Sequence, residues 1–477
     1  MAQHIKQFFE QEYTSYAVYR VFQRLPHVAD CLAQTQRKIM YTLERFPESR
    51  KHKTAEVYAH VYTGTQYLHG DASVYTVVEN LARNCSNSLN ILTQEGSFGS
   101  RTSRGASAPR YTSTRFSQLG RAIFPKEDKP IYRSQEFEGH QIEPKFLMPI
   151  LPVLLLNGYS GIAVGFASKF LPRNPEDLIK TIIDALRYKK RKNSNWDSYQ
   201  IPNLKPDFPF YDGCVKSIPD HQNKSAWALT GKINRTAKKN IIKIIDVPPS
   251  YTRESYLVKL KKMMEHGTIK DYSENCRKNI FEIEIKLPPG VDKKTDDEIM
   301  ITLGLVEKVA ENFTFINPDI IPEKDTIIRY DHAGEYLKDF ITIRQEYYVE
   351  RKKYQLDRLQ QDISIMLSKI RFINEVNSED IIITNQSKPQ IVQKLKERDY
   401  QLIEDNYDYL LNIKIQSLTL EKVKVFERLI QDKNKELSTL VKISTEDMHI
   451  EELNNLLVLS TQERQLKGFQ YPEDLCV

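Results

Sequence analysis

A chain of 477 residues with 40% apolar and 28% charged side chains has an ordinary globular composition and room for two to four domains, each with its own core. No apolar run of eighteen residues occurs, so no membrane-spanning helix is expected, and the opening MAQHIKQFFEQEY carries acids and lacks the apolar stretch of a signal peptide. Five scattered cysteines without a C-x-x-C pair argue against a disulfide framework or a zinc site and for a reducing, intracellular compartment. The net charge of +6 is unevenly spread. Between Arg20 and Pro125 there are 14 Lys and Arg against 7 Asp and Glu, as expected of a face that binds a polyanion.

Taken in order, residues 3–23 read as a helix, with Ile5, Phe8, Phe9, Tyr13, Tyr16 and Ala17 at helical spacing. A second helix is expected from Asp30, as cap, to Phe46, with Pro47 just beyond it. A third covers Thr54 to Tyr62 and a fourth Asp71 to about Asn87. Short helices followed by a basic loop suggest a winged-helix relative of the helix-turn-helix. From Gly139 an apolar run punctuated by Pro144, Pro149 and Pro152 reads as buried strands, and 188–223 as a connecting region. Strands at 232–233, 241–247 and 280–287, with a helix from Arg253 to Glu265 between them, form a mixed α/β module.

From Gly334 the chain turns helical. Leu356, Leu359, Ile363, Met366, Ile370 and Ile373 step by three and four, and Val423, Phe426, Ile430, Leu437 and Leu440 repeat the seam with a polar lapse at Lys433. Two such helices about fifty residues apart imply an antiparallel coiled coil with a small globular tip over about 375–420. The tail from Asn455 to Val477 is expected to be peripheral. The glycines at 158, 161 and 165 are not followed by G-K-[ST], which rejects a phosphate-binding P-loop.

The stretch richest in chemistry is Gln94 to Phe124. Arg101, Arg104, Arg110, Arg115 and Arg121 lie between Ser100 and Pro125 without one acid, in a loop loosened by glycine and serine. Such arginines are bidentate donors for phosphate. Tyr111, directly after Arg110, is open to two readings: a ring packing at the start of a short helix, or a nucleophile whose phenolate the neighbouring guanidiniums stabilise.

EGSFGSR followed by an Arg-Tyr pair resembles the active-site segment of type II DNA topoisomerases, G-N-F-G-S then A-x-R-Y-T, and in particular the breakage-reunion subunit of the gyrase A and topoisomerase IV A kind, as in the split, phage-type enzyme. YTSYAVYRVFQR-LP resembles Y-x-x-Y-A-M…R-A-L-P with one residue missing after Arg24, and Tyr67-Leu68-His69-Gly70-Asp71 resembles Y-H-H-G-[ED] with Leu68 in place of the first histidine. Asp30-Cys31-Leu32-Ala33-Gln34 stands where D-G-L-K-P is usual, so the lysine is lost while Arg37 and Lys38 remain. Asn157 to Gly165 resembles N-G-x-x-G-I-A-V-G.

The resemblance implies an α+β multidomain chain: a winged-helix DNA-cleavage domain over 1–150, an α/β tower or shoulder domain over 151–333, a long antiparallel coiled coil with a globular dimerisation tip over 334–445, and a tail over 446–477. It implies Tyr111 as nucleophile, with Arg110, Arg24 and His69 stabilising the attacked phosphate. DNA contacts are expected from Arg37, Lys38, Arg83, Arg101, Arg104 and Arg115, and Ile162 is expected to wedge between bases. No acid cluster at metal-ligand spacing and no nucleotide-binding glycine motif stands near the Arg-Tyr pair. Mg²⁺ and ATP are therefore expected on a large partner subunit, with this chain a homodimer acting on double-stranded DNA and no membrane involved. The ATP-dependent reaction implied is a transient double-strand break through a 5′-phosphotyrosine and passage of a second duplex. A DNA-binding scaffold that has lost activity, and a single-strand nicking tyrosine transesterase, are the alternatives.

Overall fold

The computed structural model describes residues 2–466 apart from 220–224, 239, 319, 323, 404 and 415–417. The chain separates into two compact units. One comprises the residues up to Glu346 together with those from His449, and the other is Tyr347–Met448.

In the first unit a continuous helical stretch runs Ala2–Gln7, Phe8–Tyr13 in π-helical form, and Thr14–Arg24. Its aromatic positions Phe8, Phe9 and Tyr16 are exposed rather than packed. The next helix, Gln34–Glu44, is capped at Ala33, three residues later than expected. Asp30 is not its cap. Its buried carboxylate accepts from the Leu32 and Leu147 amides (3.0 and 2.9 Å) and from Arg37, which turns the chain before the helix starts. Helices Thr54–Thr65 and Asp71–Ala82 follow and pack on it. The second of these stops at Ala82, short of Asn87, because Asn87 Nδ2 donates to the Asn80 and Arg83 carbonyls (2.7 and 2.9 Å) and so satisfies acceptors that a further turn would use.

The apolar run after Gly139 is buried as expected, but not as strands. Leu147 to Leu156 sit in the core as a turn followed by the short helix Val153–Asn157. Pro149 and Pro152 have no N–H for a ladder, which rules out a central strand. Strands come only afterwards, in the hairpin Tyr159–Ile162 with Ala167–Phe170.

A four-stranded antiparallel sheet runs Asp271–Glu274, Ile283–Lys286, Ile241–Asp246, Lys232–Arg235. Its register sets Ile242 opposite Ile285 and Ile244 opposite Ile283, so all four share one face. There they meet Tyr256 and Leu260 of the helix Arg253–Glu265, and Ile299 of Asp296–Thr302. The longer helix starts at a reciprocal cap: Ser255 N–H donates to Thr252 Oγ1 (3.3 Å) and Thr252 N–H to Ser255 Oγ (2.9 Å). A second sheet, Val306–Ala310, Ala226–Thr230, Cys214–Ser217, packs on Leu171 and Tyr211.

Between the sheets and the hairpin lies a buried hub. Glu311 accepts from Arg173 Nη2 (2.7 Å), Ser225 Oγ (2.8 Å), Trp227 Nε1 (2.8 Å) and the Leu171 amide (2.7 Å). The expected tail is corrected. Thr445–Leu466 is a helix whose Leu453 and Leu456 are fully buried, and His449 Nε2 lies 2.7 Å from the Ile150 carbonyl oxygen. The part of that expected tail beyond residue 466 lies outside the described residues.

The second unit carries the remainder of the helix Ala333–Asn377 and the helix Leu420–Lys442. Lys352 Nζ donates to the Ile443 carbonyl (2.6 Å) and Lys433 Nζ to Asp362 Oδ2 (2.8 Å), so the two run antiparallel. The lapse at Lys433 in the apolar seam is thus an ion pair across the helices. The intervening residues form a small core of Phe372, Ile381, Leu395, Tyr400, Tyr407 and Leu410. No helix of the described residues is long and apolar enough to cross a membrane.

Candidate nucleic-acid interface

The loop that carries Tyr111 is fixed at both ends by backbone hydrogen bonds. Glu95 and Ser113 exchange bonds of 3.1 and 2.9 Å, and Ser107 N–H donates to Ser97 O at 2.9 Å. Gly99, at φ +91°, makes the tight return, and a Cβ there would meet the Arg104 carbonyl carbon at 2.8 Å. Lys53 pairs with Ser113 in a two-residue ladder, donates through Nζ to the Arg110 carbonyl (2.9 Å), and is followed by Thr54, whose N–H donates to Thr112 O (3.0 Å). Tyr111 therefore stands on a turn whose backbone is held on both sides, and its own N–H is taken by Ala108 O (2.8 Å). Its side chain is 68% exposed, which removes the reading of a packed ring. The Arg110 guanidinium lies 5.0 Å from the ring centroid.

A second group forms around His69. Arg20 Nη1 donates to Gln23 Oε1 (2.6 Å), which turns the Gln23 amide nitrogen toward His69 Nε2. The Tyr19 hydroxyl reaches the same nitrogen at 2.7 Å. With two donors aimed at Nε2, the ring proton belongs on Nδ1. Burial, then the charges of Arg20 and Arg24, push the imidazole pKa down, so His69 is neutral at neutral pH. Arg24, exposed at the end of its helix, adds a guanidinium with no hydrogen bond or ion pair among the described residues. None of the contacts of Tyr111 or Arg110 reaches Arg24 or His69.

The first unit has a cleft of ≈ 530 Å³ lined by Arg24, Asn80, Arg83, Arg101, Arg104 and Tyr159. Ile162, two residues beyond the cleft-lining Ser160, is 77% exposed near the tip of its hairpin. Gly161 beneath it admits no side chain: a Cβ there would stand 2.6 Å from the Arg24 carbonyl oxygen.

Four of the expected DNA contacts are corrected. Arg37 is buried and grips Asp30 with two bonds (2.6 and 3.2 Å). Lys38 is buried against Glu143 and the Thr65 carbonyl, both at 2.7 Å. Arg101 is buried, donating to the Tyr251 and Val247 carbonyls (2.7 Å each) with its guanidinium 4.8 Å from the Phe281 ring centroid. Arg83 is buried against the Phe98 and Arg104 carbonyls (2.7 and 3.0 Å) and meets the cleft only as part of its wall. Their donors are spent on the protein and hold the loop and helices in place. Arg104 is exposed with one bond to Pro249 O (2.5 Å), and Arg115 is half-buried with one to Glu48 O (3.0 Å). Sequence reading missed Tyr19 and Gln23, which orient His69; a polar residue on an exposed helix gives no sign of its partner fifty residues away.

Among the described residues the group of side chains spaced to hold a metal ion is His52, Glu56 and His60. Two imidazoles and one carboxylate do not match the oxygen shell that Mg²⁺ prefers. No Mg²⁺-dependent step is assigned to these residues.

This constellation lies within a recognisable class of chain. The chain belongs to the family of DNA gyrase and topoisomerase IV A-subunits, whose sequence profile matches residues 24–455. It is 27% identical over 485 residues to DNA topoisomerase 2 of Penicillium chrysogenum, covering 94% of this chain and 30% of that protein. It is 27% identical over 430 residues to the DNA topoisomerase medium subunit of Enterobacteria phage T4, covering 88% and 91% respectively. The fold is similar to the crystal structure of the Plasmodium falciparum topoisomerase II DNA-binding, cleavage and re-ligation domain, with a TM-score of 0.84, 25% identity, and coverage of 97% of this chain and 66% of that one. The chain thus spans about a third of the length of the relatives named DNA topoisomerase 2.

Proposed function

We propose that this chain is the DNA-cleaving and religating subunit of an ATP-dependent type II DNA topoisomerase. The observation that carries the reading is the exposed Tyr111 hydroxyl on a backbone-fixed turn, with Arg110 against its ring and no acid in the surrounding segment. The Tyr111 hydroxyl gives up its proton as its oxygen attacks a DNA phosphorus, the bond from phosphorus to the 3′-oxygen breaks, and that oxygen takes up a proton and leaves as a 3′-hydroxyl while the 5′-phosphate stays on the tyrosine. The hydroxyl attacks back after a second duplex has passed, so the energy of the phosphodiester is conserved. Arg110, Arg24 and His69 Nδ1–H supply positive charge and a donor for the phosphate oxygens as charge builds. Within one chain the two groups do not touch, and in this reading the working site joins Tyr111 and Arg110 of one copy to Arg24 and His69 of a second. The helices 34–44, 54–65 and 71–82 serve as the winged-helix DNA-binding element, the four-stranded sheet module as the tower, and the tip of the second unit as the dimer contact.

ATP and Mg²⁺ belong to a large partner subunit in this reading. The purified chain is expected to dimerise and to bind duplex DNA, but barely to cleave it at any Mg²⁺ concentration until that subunit is added. Gel assays of cleavage with and without the partner test this. Robust double-strand cleavage by the chain alone would move the metal site into it.

Ile162 is the wedge. One branched side chain standing alone over a glycine can enter a base step, unstack it at a cost of a few kcal/mol and kink the duplex. Ile162→Ala is expected to leave folding intact and to lower bending and cleavage, roughly ten-fold for ~1.4 kcal/mol of lost wedge contact. End-to-end fluorescence transfer on a short labelled duplex reads the bend. Equal bending by both versions would make Ile162 a mere exposed side chain.

A further inference from the structure

His52, Glu56 and His60 lie one helical turn apart on one face, His52 just before the helix Thr54–Thr65 and the other two within it. His52 is 1% exposed, and neither of its ring nitrogens has a hydrogen-bond partner. A buried imidazole with both nitrogens idle is uncommon, because each forgoes the water it bonded before folding. His52 Nδ1 stands 3.2 Å from Glu56 Oε1 without hydrogen-bond geometry, and His60 Nε2 stands 3.3 Å from the same oxygen. The three ligand atoms all fall within 4.8 Å of one another. Phe46 backs both rings, at 4.2 Å from His52 and 4.7 Å from His60 between centroids, and fixes their planes.

The two histidine–carboxylate distances are those of a metal shell. With metal–nitrogen and metal–oxygen bonds of about 2.0–2.2 Å, ligands at adjacent corners of a tetrahedron are about 3.3–3.6 Å apart. We propose that His52, Glu56 and His60 form a binding site for a divalent transition ion of the zinc type, with the fourth position open to water. Two imidazoles and a carboxylate suit zinc and its neighbours and not Mg²⁺, so this site is separate from any Mg²⁺ used in cleavage. In the metal-free chain Arg50, exposed and 2.6 Å from Glu56 Oε1, supplies the positive charge, and it is the group the ion displaces. The location gives the ion a structural role. His52 is paired in register with Thr114, three residues beyond Tyr111, so the ion ties the helix to the strand that leads away from the tyrosine turn.

The test uses the full, untagged chain stripped with a chelator and titrated with Zn²⁺ or Co²⁺. The expected result is one ion per chain, with the intense visible bands of tetrahedral cobalt and a rise in melting temperature. Affinity should fall at least ten-fold in Glu56→Gln and in His60→Gln, both partly exposed positions, and should rise in Arg50→Ala because the competing cation is gone. Millimolar Mg²⁺ should not displace the ion. The proposal is overturned if the unsubstituted chain holds no more zinc than the Glu56→Gln/His60→Gln double variant, if Mg²⁺ displaces it, or if Arg50→Ala weakens binding. The cobalt spectrum of the unsubstituted chain needs no variant, and octahedral bands there would also refute the site.

Discussion

Tyr111→Phe is expected to abolish covalent capture of DNA while leaving the complex with duplex DNA nearly intact. The substitution removes one oxygen from an exposed ring and no packing, so the fold has nothing to lose. Affinity should fall by at most the ~0.5–1.5 kcal/mol of a single hydrogen bond, since phosphate contacts from Lys and Arg dominate it. The adduct, by contrast, loses its bond-forming atom. Denaturant-trapped protein–DNA complexes in the reconstituted enzyme should fall on the order of 10⁴-fold or more, the scale on which an enzyme loses its nucleophile. Undiminished adduct would sink the assignment. The same variant tests the composite site. Mixed with a His69→Ala chain, it should recover nicking of one strand, because one of the two sites then has both Tyr111 and His69 from opposite copies. Were both residues supplied by the same copy, every site in the mixed dimer would be defective and no nicking would return.

The second large effect concerns stability. Glu311→Ala should destabilise the first unit by ~3–5 kcal/mol, because it strands the fully buried Arg173 guanidinium without its counter-charge, leaves the Leu171 amide without an acceptor and reduces Trp227 Nε1 to its bond with Ser225 Oγ. The damage should reach the Ile162 hairpin, whose base is tied to the neighbouring residue by Lys169 and Asn312 exchanging backbone bonds of 2.9 and 2.7 Å. Replacing Arg173 and Glu311 together by Met and Leu should recover part of the loss, since no lone charge is then buried. Urea unfolding measures both variants. A loss below about 1 kcal/mol for the single variant would show that the hub contributes little.

What could be read from the sequence was whatever leaves a local trace. The helix Arg253–Glu265 was legible to its ends, and the seams of the two long helices were legible from spacing alone. Tyr111 stood out within an acid-free run of arginines, but the residues alone left it open between a packed ring and a nucleophile. Burial was not legible. Arg37, Lys38 and Arg101 read as phosphate ligands because a charge does not announce its partner, and Asp30, Glu143 and the Val247 carbonyl lie 7, 105 and 146 residues away. The sheet of Val306–Ala310, Ala226–Thr230 and Cys214–Ser217 escaped for the same reason, since short strands paired across some eighty residues carry no common pattern. The apolar run with Pro149 and Pro152 misled by composition: hydrophobicity reported burial correctly, and the missing N–H groups decided the shape.

The Arg101 clamp has a mechanical consequence. Around it, Thr102 exchanges backbone bonds with the sheet module: its N–H donates to Lys278 O (2.9 Å) and its carbonyl accepts from Arg253 N–H (2.8 Å), while Arg101 N–H donates to Asn279 Oδ1 (2.9 Å). The segment leading to Tyr111 is therefore riveted to a rigid block that packs around its own core, only nine residues upstream of the hydroxyl. A push on that block would travel through these bonds as through a crank, moving the tyrosine turn with it rather than letting the loop flex alone. Movement of the sheet module and position of the tyrosine turn thereby become one degree of freedom.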